Sequence, residues 1–356
     1  MSASSTRTPS FAKAPQNKPK FMLVREQYSN PLMFERDVEE VPIRKGFGSG
    51  LLLAGEKDEN VVGLCADLTE STQMHHFAKK FPNRYFEVGV AEQNLVTVAS
   101  GLARMGKIPF CSSYAVFSPG RNWEQIRTTI TYNNVPVKIV GSHAGISVGP
   151  DGGTHQAIED IALMRVLPRV VVVVPCDAIE AEKATLALAT SGTPAYLRLA
   201  REKTPIVTTS ESPFELGKAN LLWDSLEPKV AIIACGGLVH NALLAASELT
   251  HQGMSVLVLN CHTIKPIDEK ALMEVAKRAG AVVTVEEHQI AGGLGSAVAE
   301  VLARKYPVPM EFVGIEDVYG QSGEPAELVE HFGLGVKGIM ERVRKVVKRK
   351  TKIYEN

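Results

Sequence analysis

Residues 170–174 are five consecutive valines, VVVVV, set between Arg169 and Pro175. A run of β-branched residues with no polar alternation is typical of a central strand in a parallel sheet, because helices cover both faces of such a sheet. The run is far too short to cross a bilayer. It therefore predicts a buried strand of an α/β fold.

The chain on both sides of this run alternates short β-rich segments with longer helical patterns. Strands are predicted at 61–65 and 137–141, with helices at 72–80, 91–105 and 156–164. A second block repeats the alternation, with strands at 230–234, 255–259 and 281–285 and helices at 241–251, 268–279 and 296–305. This alternation predicts two consecutive α/β domains with mostly parallel sheets flanked by helices.

The domain boundaries follow from changes in composition. At 356 residues the chain is long enough for two domains. Residues 1–40 are predicted to be a flexible N-terminal arm, since the first twenty are rich in Ser, Thr, Lys and Pro and contain no acid. A disordered extension is favoured over an organelle transit peptide. We expect domains at 41–205 and 228–350, joined by a linker at 206–227 with little structure of its own.

Charge and cysteine content exclude several classes of partner. Lys plus Arg and Asp plus Glu are both 39, so the formal net charge is zero and neither nucleic acid nor a membrane surface is expected as a partner. The five cysteines have no Cys-x-x-Cys or Cys/His spacing, so no structural zinc site and no disulfide framework are expected. Reduced thiols favour a cytoplasmic location.

Two glycine-rich segments resemble phosphate loops at first sight. They are GFGSG at 46–50 and GGLG at 292–295. Neither has the complete Gly-x-Gly-x-x-Gly spacing after a predicted strand, with an acid about twenty residues later. We interpret both as glycines for turns or close packing.

The segment EVGVAEQNLVTVASG, residues 87–101, places Glu92 in the first turn of an apolar helix. An acid at that position commonly stabilises the helix dipole. Here the other residues of the helix are nearly all apolar or small, which predicts burial. A buried carboxylate needs a partner or a raised pKa, so Glu92 is a candidate functional residue.

The segment HAGISVGPDGGTHQ, residues 143–156, follows the predicted strand at 137–141. Ligands of α/β proteins bind at the carboxyl ends of parallel strands. Its two histidines, His143 and His155, and Asp151 suit hydroxyl recognition and proton transfer. Each alone is also compatible with an ordinary loop residue, and the spacing matches no metal signature.

These motifs together resemble transketolase. ADLTES at 66–71, the Glu92 helix, and the His143–Gln156 loop occur in the family's order. The resemblance covers residues 40–345 and corresponds to the pyrimidine-binding and C-terminal domains of that family. It implies that the chain is the C-terminal subunit of a split, thiamine-diphosphate-dependent transketolase.

The resemblance also implies residue roles. Glu92 matches the glutamate that hydrogen-bonds ring nitrogen N1′ of the cofactor's aminopyrimidine and so promotes removal of the proton from C2. Tyr114 and Phe117 resemble the aromatic residues around that ring, although core packing remains an alternative for both. His143 and His155 match the histidines that contact substrate oxygens and assist proton transfer.

The remaining matched residues concern the sugar substrate. Asp151 matches the aspartate that recognises the donor's C2 hydroxyl. Arg44, Ser71 and Arg201 match the anchor of the sugar phosphate, and two guanidinium groups with a hydroxyl suit a phosphate dianion. The implied reaction is transfer of a two-carbon ketol unit between sugar phosphates, as in the pentose phosphate pathway.

One motif of the family is absent from the sequence. Transketolases bind the cofactor's diphosphate and its metal, Mg²⁺ or Ca²⁺, with Gly-Asp-Gly followed later by Asn, and no Gly-Asp-Gly occurs here. The resemblance therefore implies a separate N-terminal subunit that carries the diphosphate-binding domain and most of the metal ligands. It implies a homodimer core of this chain within a heterotetramer, inactive without that partner.

Other functions stay open at this point. The C-terminal half of 1-deoxy-D-xylulose-5-phosphate synthase shares the Glu92-Gln93 and Asp-Gly-x-Thr-His-Gln elements, but tends to carry Arg at the position of His143. The β subunit of the first enzyme of the pyruvate dehydrogenase complex has no need of the phosphate anchor. A two-subunit transketolase for a branched sugar phosphate is a further alternative. A non-catalytic, transketolase-like interaction protein would be expected to lose Glu92, which is present.

Overall fold

The computed structural model describes residues 21–23, 28–35 and 37–355 and contains two α/β domains. In chain order its strands and helices are β1 (Phe21–Leu23), β2 (Glu40–Pro42), α1 (Ile43–Lys57), β3 (Val61–Cys65), α2 (His75–Lys80), β4 (Tyr85–Glu87), α3 (Glu92–Arg104), β5 (Ile108–Tyr114), α4 (Trp123–Gln125), β6 (Lys138–Ser142), α5 (Asp160–Arg165), β7 (Val171–Val173), α6 (Ala178–Thr190), β8 (Ala195–Arg198), β9 (Lys203–Pro205), β10 (Asn220–Ser225), β11 (Val230–Ala234), α7 (Leu238–His251), β12 (Val256–Asn260), β13 (Thr263–Lys265), α8 (Glu269–Ala279), β14 (Val282–Gln289), α9 (Leu294–Lys305), β15 (Met310–Ile315), α10 (Pro325–His331) and α11 (Val336–Glu355). The predicted fold class is confirmed.

The first domain is built on a seven-stranded sheet in the order β13-β7-β8-β6-β5-β3-β4. Its strands are parallel except β13, which pairs antiparallel with β7. The valine run forms β7, which is second from the edge and not central as predicted. The run is nevertheless buried, because β13 from the second domain covers its outer side.

The second domain has a six-stranded sheet in the order β1-β10-β12-β11-β14-β15. Strands β12, β11, β14 and β15 are parallel, while β1 and β10 are antiparallel additions at one edge. The segment expected to be a linker with little structure of its own therefore contributes β10 to this sheet.

Helix α1 contains the first glycine-rich segment, which the sequence did not predict to be helical. A Cβ atom at Gly46 would lie 1.8 Å from the carbonyl oxygen of Ala178, and one at Gly50 would lie 2.7 Å from Cβ of Thr185. The glycines therefore allow α1 and α6 to touch backbone to backbone. The close-packing interpretation is correct, and the turn interpretation is not, because contact with α6 outweighs the low helix propensity of glycine.

The part of the predicted arm that the structure describes packs against the second domain. Met33 is fully buried, and its carbonyl oxygen lies 2.7 Å from Nε2 of His240. The ring of Phe34 meets Trp223 edge to face at 5.8 Å. Residues 1–20, 24–27 and 36 of the predicted arm lie outside the described residues. No helix in the described ranges is long and apolar enough to cross a membrane.

A buried ion pair of the first domain lies where the two domains meet. Nε of Arg198, at the end of β8, donates to Oδ2 of Asp160 at 2.8 Å, and the hydroxyl of Tyr196 donates to the same oxygen at 2.7 Å. Nη2 of Arg198 also donates to the backbone oxygens of Ala157 and, in the second domain, Glu287. Burial opposes ionisation of Asp160, but the adjacent Arg198 keeps the pKa of this carboxyl below its usual range.

The substitution Arg198→Leu should destabilise the chain by about 3–5 kcal/mol, because it leaves the Asp160 carboxylate buried without its cation. The urea-unfolding midpoint of the purified chain measures this effect. The control is Lys80→Ala, which breaks the surface pair of Lys80 with Glu56 and should cost less than about 1 kcal/mol. Equal, small shifts for the two variants would contradict the role of the buried pair.

Candidate active site

The candidate residues collect at one edge of the first sheet because its strands run parallel. Ser71 follows β3, Glu92 follows β4, Tyr114 ends β5, His143 follows β6 and Arg201 follows β8. The carboxyl ends of parallel strands meet at a single edge, so residues distant in sequence become neighbours there. The register pairs Tyr114 directly with Ser142, which precedes His143.

Glu92 begins α3 and is almost completely buried, with only 4% of its surface exposed. Its Oε1 accepts a hydrogen bond from the Ser113 hydroxyl and its Oε2 accepts one from Nη1 of Arg121, both at 3.3 Å. Charge-assisted hydrogen bonds are normally 2.7–2.9 Å long, roughly half an ångström shorter. The carboxylate is thus sequestered from water but only loosely bonded, and it retains capacity to share a proton with a ligand.

A row of stacked rings leads from Glu92 to the substrate loop. The guanidinium of Arg121 lies over the ring of Phe117 at 4.3 Å, and Phe117 stacks with Tyr114 at a centroid distance of 5.9 Å. Tyr114 in turn stacks on His143 at 3.9 Å. The edge of the His155 ring meets Phe117 at 5.4 Å. The rings therefore form a continuous aromatic surface beside the buried carboxylate.

His143 is buried and has an uncommon backbone conformation. Its φ of 56° lies in the left-handed region, and its Nδ1 is 2.9 Å from the hydroxyl of Ser142. Burial, followed by the positive charges of Arg44 and Arg201, lowers the pKa of His143 to about 3. The imidazole is therefore neutral at physiological pH and has one unprotonated nitrogen that can accept a hydrogen bond. Nδ1 of His155 lies 3.0 Å from the hydroxyl of Thr154.

Two arginines from opposite ends of the domain meet beside these histidines. In the first turn of α1, Arg44 donates from Nη1 to the backbone oxygen of Ser71 at 2.7 Å and from Nε to that of Arg201 at 3.2 Å. Nη1 of Arg201 donates to the backbone oxygen of Val148. Nη2 of each arginine makes no hydrogen bond within the described ranges, and burial lowers the pKa of Arg44. The free donors form a cationic corner suited to an anion.

Asp151 is the one candidate that the structure does not connect to the others. It ends the short 3₁₀ segment Ile146–Asp151, is exposed, and makes no hydrogen bond or ion pair with any described residue. Asp151 lies four residues before His155, on the same loop.

Sequence reasoning missed three residues that surround Glu92. Ser113 and Arg121 contact its carboxylate, and Nδ2 of Asn122 donates to its backbone oxygen at 2.9 Å. The sequence signals that could have identified them are the position of Ser113 next to Tyr114 and the polar pair Arg121-Asn122 shortly after Phe117. Within residues 21–23, 28–35 and 37–355, no three His, Cys, Asp or Glu side chains are placed to hold a metal ion.

Comparisons with known proteins agree on one family. The family model described as transketolase, pyrimidine binding domain matches residues 39–207, and that described as transketolase, C-terminal domain matches residues 217–339. A putative transketolase C-terminal section from Methanocaldococcus jannaschii is 44% identical over 310 residues, which are 86% of this chain and 96% of that protein.

Two further relatives come from divided enzymes. The 6-deoxy-6-sulfo-D-fructose transketolase subunit SqwH of Clostridium sp. is 41% identical over 317 residues, covering 89% of this chain and 98% of that protein. A solved structure described as a split gene transketolase, inactive beta4 tetramer, superposes with a TM-score of 0.82 at 44% identity, covering 87% of this chain and 99% of that one.

Proposed function

The chain belongs to the transketolase family, in which it comprises the pyrimidine-binding and C-terminal domains, and on that premise we propose that it is one subunit of a split transketolase. The assembled enzyme would transfer a two-carbon ketol unit from a ketose phosphate to an aldose phosphate. The observation that carries this proposal is the continuous edge of the first sheet, where the buried Glu92 carboxylate, an aromatic surface, two histidines and two arginines adjoin.

The residues around Glu92 fit the pyrimidine end of thiamine diphosphate. A sequestered carboxylate with two long hydrogen bonds suits a ring nitrogen that shares a proton with it. The stacked rings of Tyr114 and Phe117 offer a flat apolar wall for an aromatic ring. When bound, thiamine diphosphate supplies a nucleophilic carbon for breaking and re-forming the carbon–carbon bond beside the ketose carbonyl. Glu92 would hold a proton at N1′ of the pyrimidine.

The histidines would contact the oxygens of the sugar. Because burial lowers the pKa of His143 and its imidazole is neutral at physiological pH, a ring nitrogen would accept a hydrogen bond from a substrate hydroxyl. His155 lies against the same rings and would donate a hydrogen bond to a neighbouring substrate oxygen. Asp151, exposed and without a partner, would accept a hydrogen bond from the donor's C2 hydroxyl.

The cationic corner would bind the substrate's phosphate. Arg44 and Arg201 are held in place through backbone oxygens, and among the described residues no carboxylate forms an ion pair with Arg44. Arg201 lies 3.6 Å from Glu202, an ion pair open to solvent. The hydroxyl of Ser71, which makes no hydrogen bond within the described part of the chain, completes a set of donors that suits a dianion.

A partner subunit would supply the diphosphate and metal sites. The sequence has no Gly-Asp-Gly, and the described residues include no metal-binding cluster. The related solved structure is described as a split gene transketolase, inactive beta4 tetramer, which supports dependence on a partner. We propose an α₂β₂ heterotetramer in the cytoplasm, with Mg²⁺ or Ca²⁺ held mainly by the N-terminal subunit.

The purified chain should show no ketol transfer by itself, because it holds only one end of the cofactor. Mixing it with the Gly-Asp-Gly subunit of the same organism, thiamine diphosphate and Mg²⁺ should restore transfer from xylulose 5-phosphate to ribose 5-phosphate. Coupled spectrophotometric assays of each subunit and of the mixture make the measurement. Full activity of this chain by itself, with host transketolase excluded, would refute the split-enzyme proposal.

The substitution Glu92→Gln should lower the rate of hydrogen–deuterium exchange at C2 of thiamine diphosphate by about 10²–10⁴-fold in the assembled complex, since proton sharing at N1′ is lost. NMR after rapid quenching measures the exchange. Glu124→Gln is the control, because Glu124 is exposed and, among the described residues, its carboxylate accepts a hydrogen bond only from Gln125. If exchange in the Glu92 variant equals wild type, the acid–base role is wrong.

Arg44→Ala and Arg201→Ala should each raise KM for a phosphorylated donor about tenfold or more, since a charged hydrogen bond contributes about 1.5–3 kcal/mol. KM for hydroxypyruvate, which carries no phosphate, should change little. Steady-state kinetics of the assembled enzyme compares the donors, with Arg344→Ala in the second domain as the control for loss of a charge. Equal effects on both donors would mean that these arginines are structural.

A further inference from the structure

The glycine-rich substrate loop, residues 143–155, is packed against the second domain. A Cβ atom at Gly152 would lie 2.6 Å from Oγ of Ser322, and one at Gly153 would lie 2.8 Å from the backbone oxygen of Gly320. Such separations are too short for any side chain. The glycines therefore allow a close fit between the loop and the second domain.

A further contact between the loop and the second domain involves Glu287, near the end of β14. Only 8% of its surface is exposed, and its Oε1 accepts a hydrogen bond from the backbone N–H of Ser147 at 2.6 Å. A Cβ atom at Gly145 would lie 2.3 Å from the same oxygen, and the φ of Gly145 is +87°. One carboxylate of the second domain thus accepts a hydrogen bond from the loop backbone at Ser147 and lies against the backbone at Gly145.

The loop backbone that Glu287 contacts adjoins the candidate site on both sides. His143 comes before it in the sequence. Val148, whose backbone oxygen accepts a hydrogen bond from Arg201, comes directly after Ser147. Gln156 braces the same stretch from inside the loop, since its Nε2 donates to the Ile146 oxygen at 3.0 Å and to the Gln321 oxygen at 2.9 Å. A shift at Ser147 would therefore move both His143 and the support of Arg201.

We propose that Glu287 is a positioning residue through which the second domain holds the substrate loop in its working shape. The inference rests on the proposed function, but it assigns to the second domain a part in the reaction. Removing the acceptor would leave the N–H of Ser147 without its partner, and the loop would rearrange to find another. Glu287 acts through the loop backbone and touches no reacting atom.

The test compares Glu287→Leu with Glu287→Gln in the assembled complex. Leu has a similar volume but no acceptor, so kcat should fall and KM for the phosphorylated donor should rise, lowering kcat/KM on the order of 10²-fold. Gln keeps an oxygen for Ser147 and should stay within about fivefold of wild type. Gly145→Ala, which drives a methyl group into the same carboxylate, should reproduce the kinetic loss if the Leu variant fails to fold.

The matched control is Glu286→Leu. Glu286 lies on the same strand and is equally buried, but it accepts from the backbone N–H groups of Leu294 and Gly295 and not from the loop. This control should lower Tm while leaving kcat/KM within about threefold of wild type. Similar kinetic losses in the two Leu variants would overturn the inference.

Amide hydrogen exchange of the isolated chain provides a readout that does not depend on activity. The Glu287→Leu variant should exchange faster in a peptide covering residues 144–149, and the Glu286→Leu variant should not. Unchanged exchange there would overturn the inference whatever the kinetics. If the wild-type complex transfers no ketol unit, the proposed function fails, and the exchange rates still decide whether Glu287 holds the loop.

Discussion

The buried guanidinium of Arg198 is the constraint on which the arrangement of sheet, loop and second domain depends. A charge removed from water requires several partners at once, and Arg198 finds them in Asp160, in the Ala157 backbone and in the Glu287 backbone. Those partners belong to the helix after the substrate loop, to the loop's own end, and to the second domain. Because a displaced arrangement would leave buried N–H groups of this guanidinium without their acceptors, the three parts are held in one relative position.

That position explains how the candidate site keeps its arrangement within the single chain. The groups proposed to meet cofactor and sugar come from strand ends and the loop, while their supports are backbone oxygens and the second domain. The arginines of the cationic corner are therefore held in place by the chain itself. Preorganisation of this kind avoids the cost of ordering side chains when substrate binds.

The sequence was sufficient for the fold class and for most of the candidate cluster, for identifiable reasons. Strand β3 and the helix that begins at Glu92 have clear apolar patterns, and the motif carrying His143 follows a strand end, where α/β sites form. Helix α1 escaped prediction because four glycines lower its propensity, whereas contact with α6 makes it helical. The hydrogen bond between Ser147 and Glu287 and the pairing of β13 with β7 join residues more than eighty positions apart. No local sequence pattern encodes such contacts.

The strand that crosses from the second domain into the first sheet has a consequence for synthesis. Strand β13 pairs with β7, and Lys265 donates to the backbone oxygens of Arg165 and Leu167 beside it. The first sheet is therefore incomplete when all residues of the first domain have left the ribosome. Strand β7, its most valine-rich strand, has an unpaired edge until Thr263–Lys265 emerge. Nascent chains of this protein accordingly pass through an interval in which a chaperone that covers exposed strands would suppress aggregation.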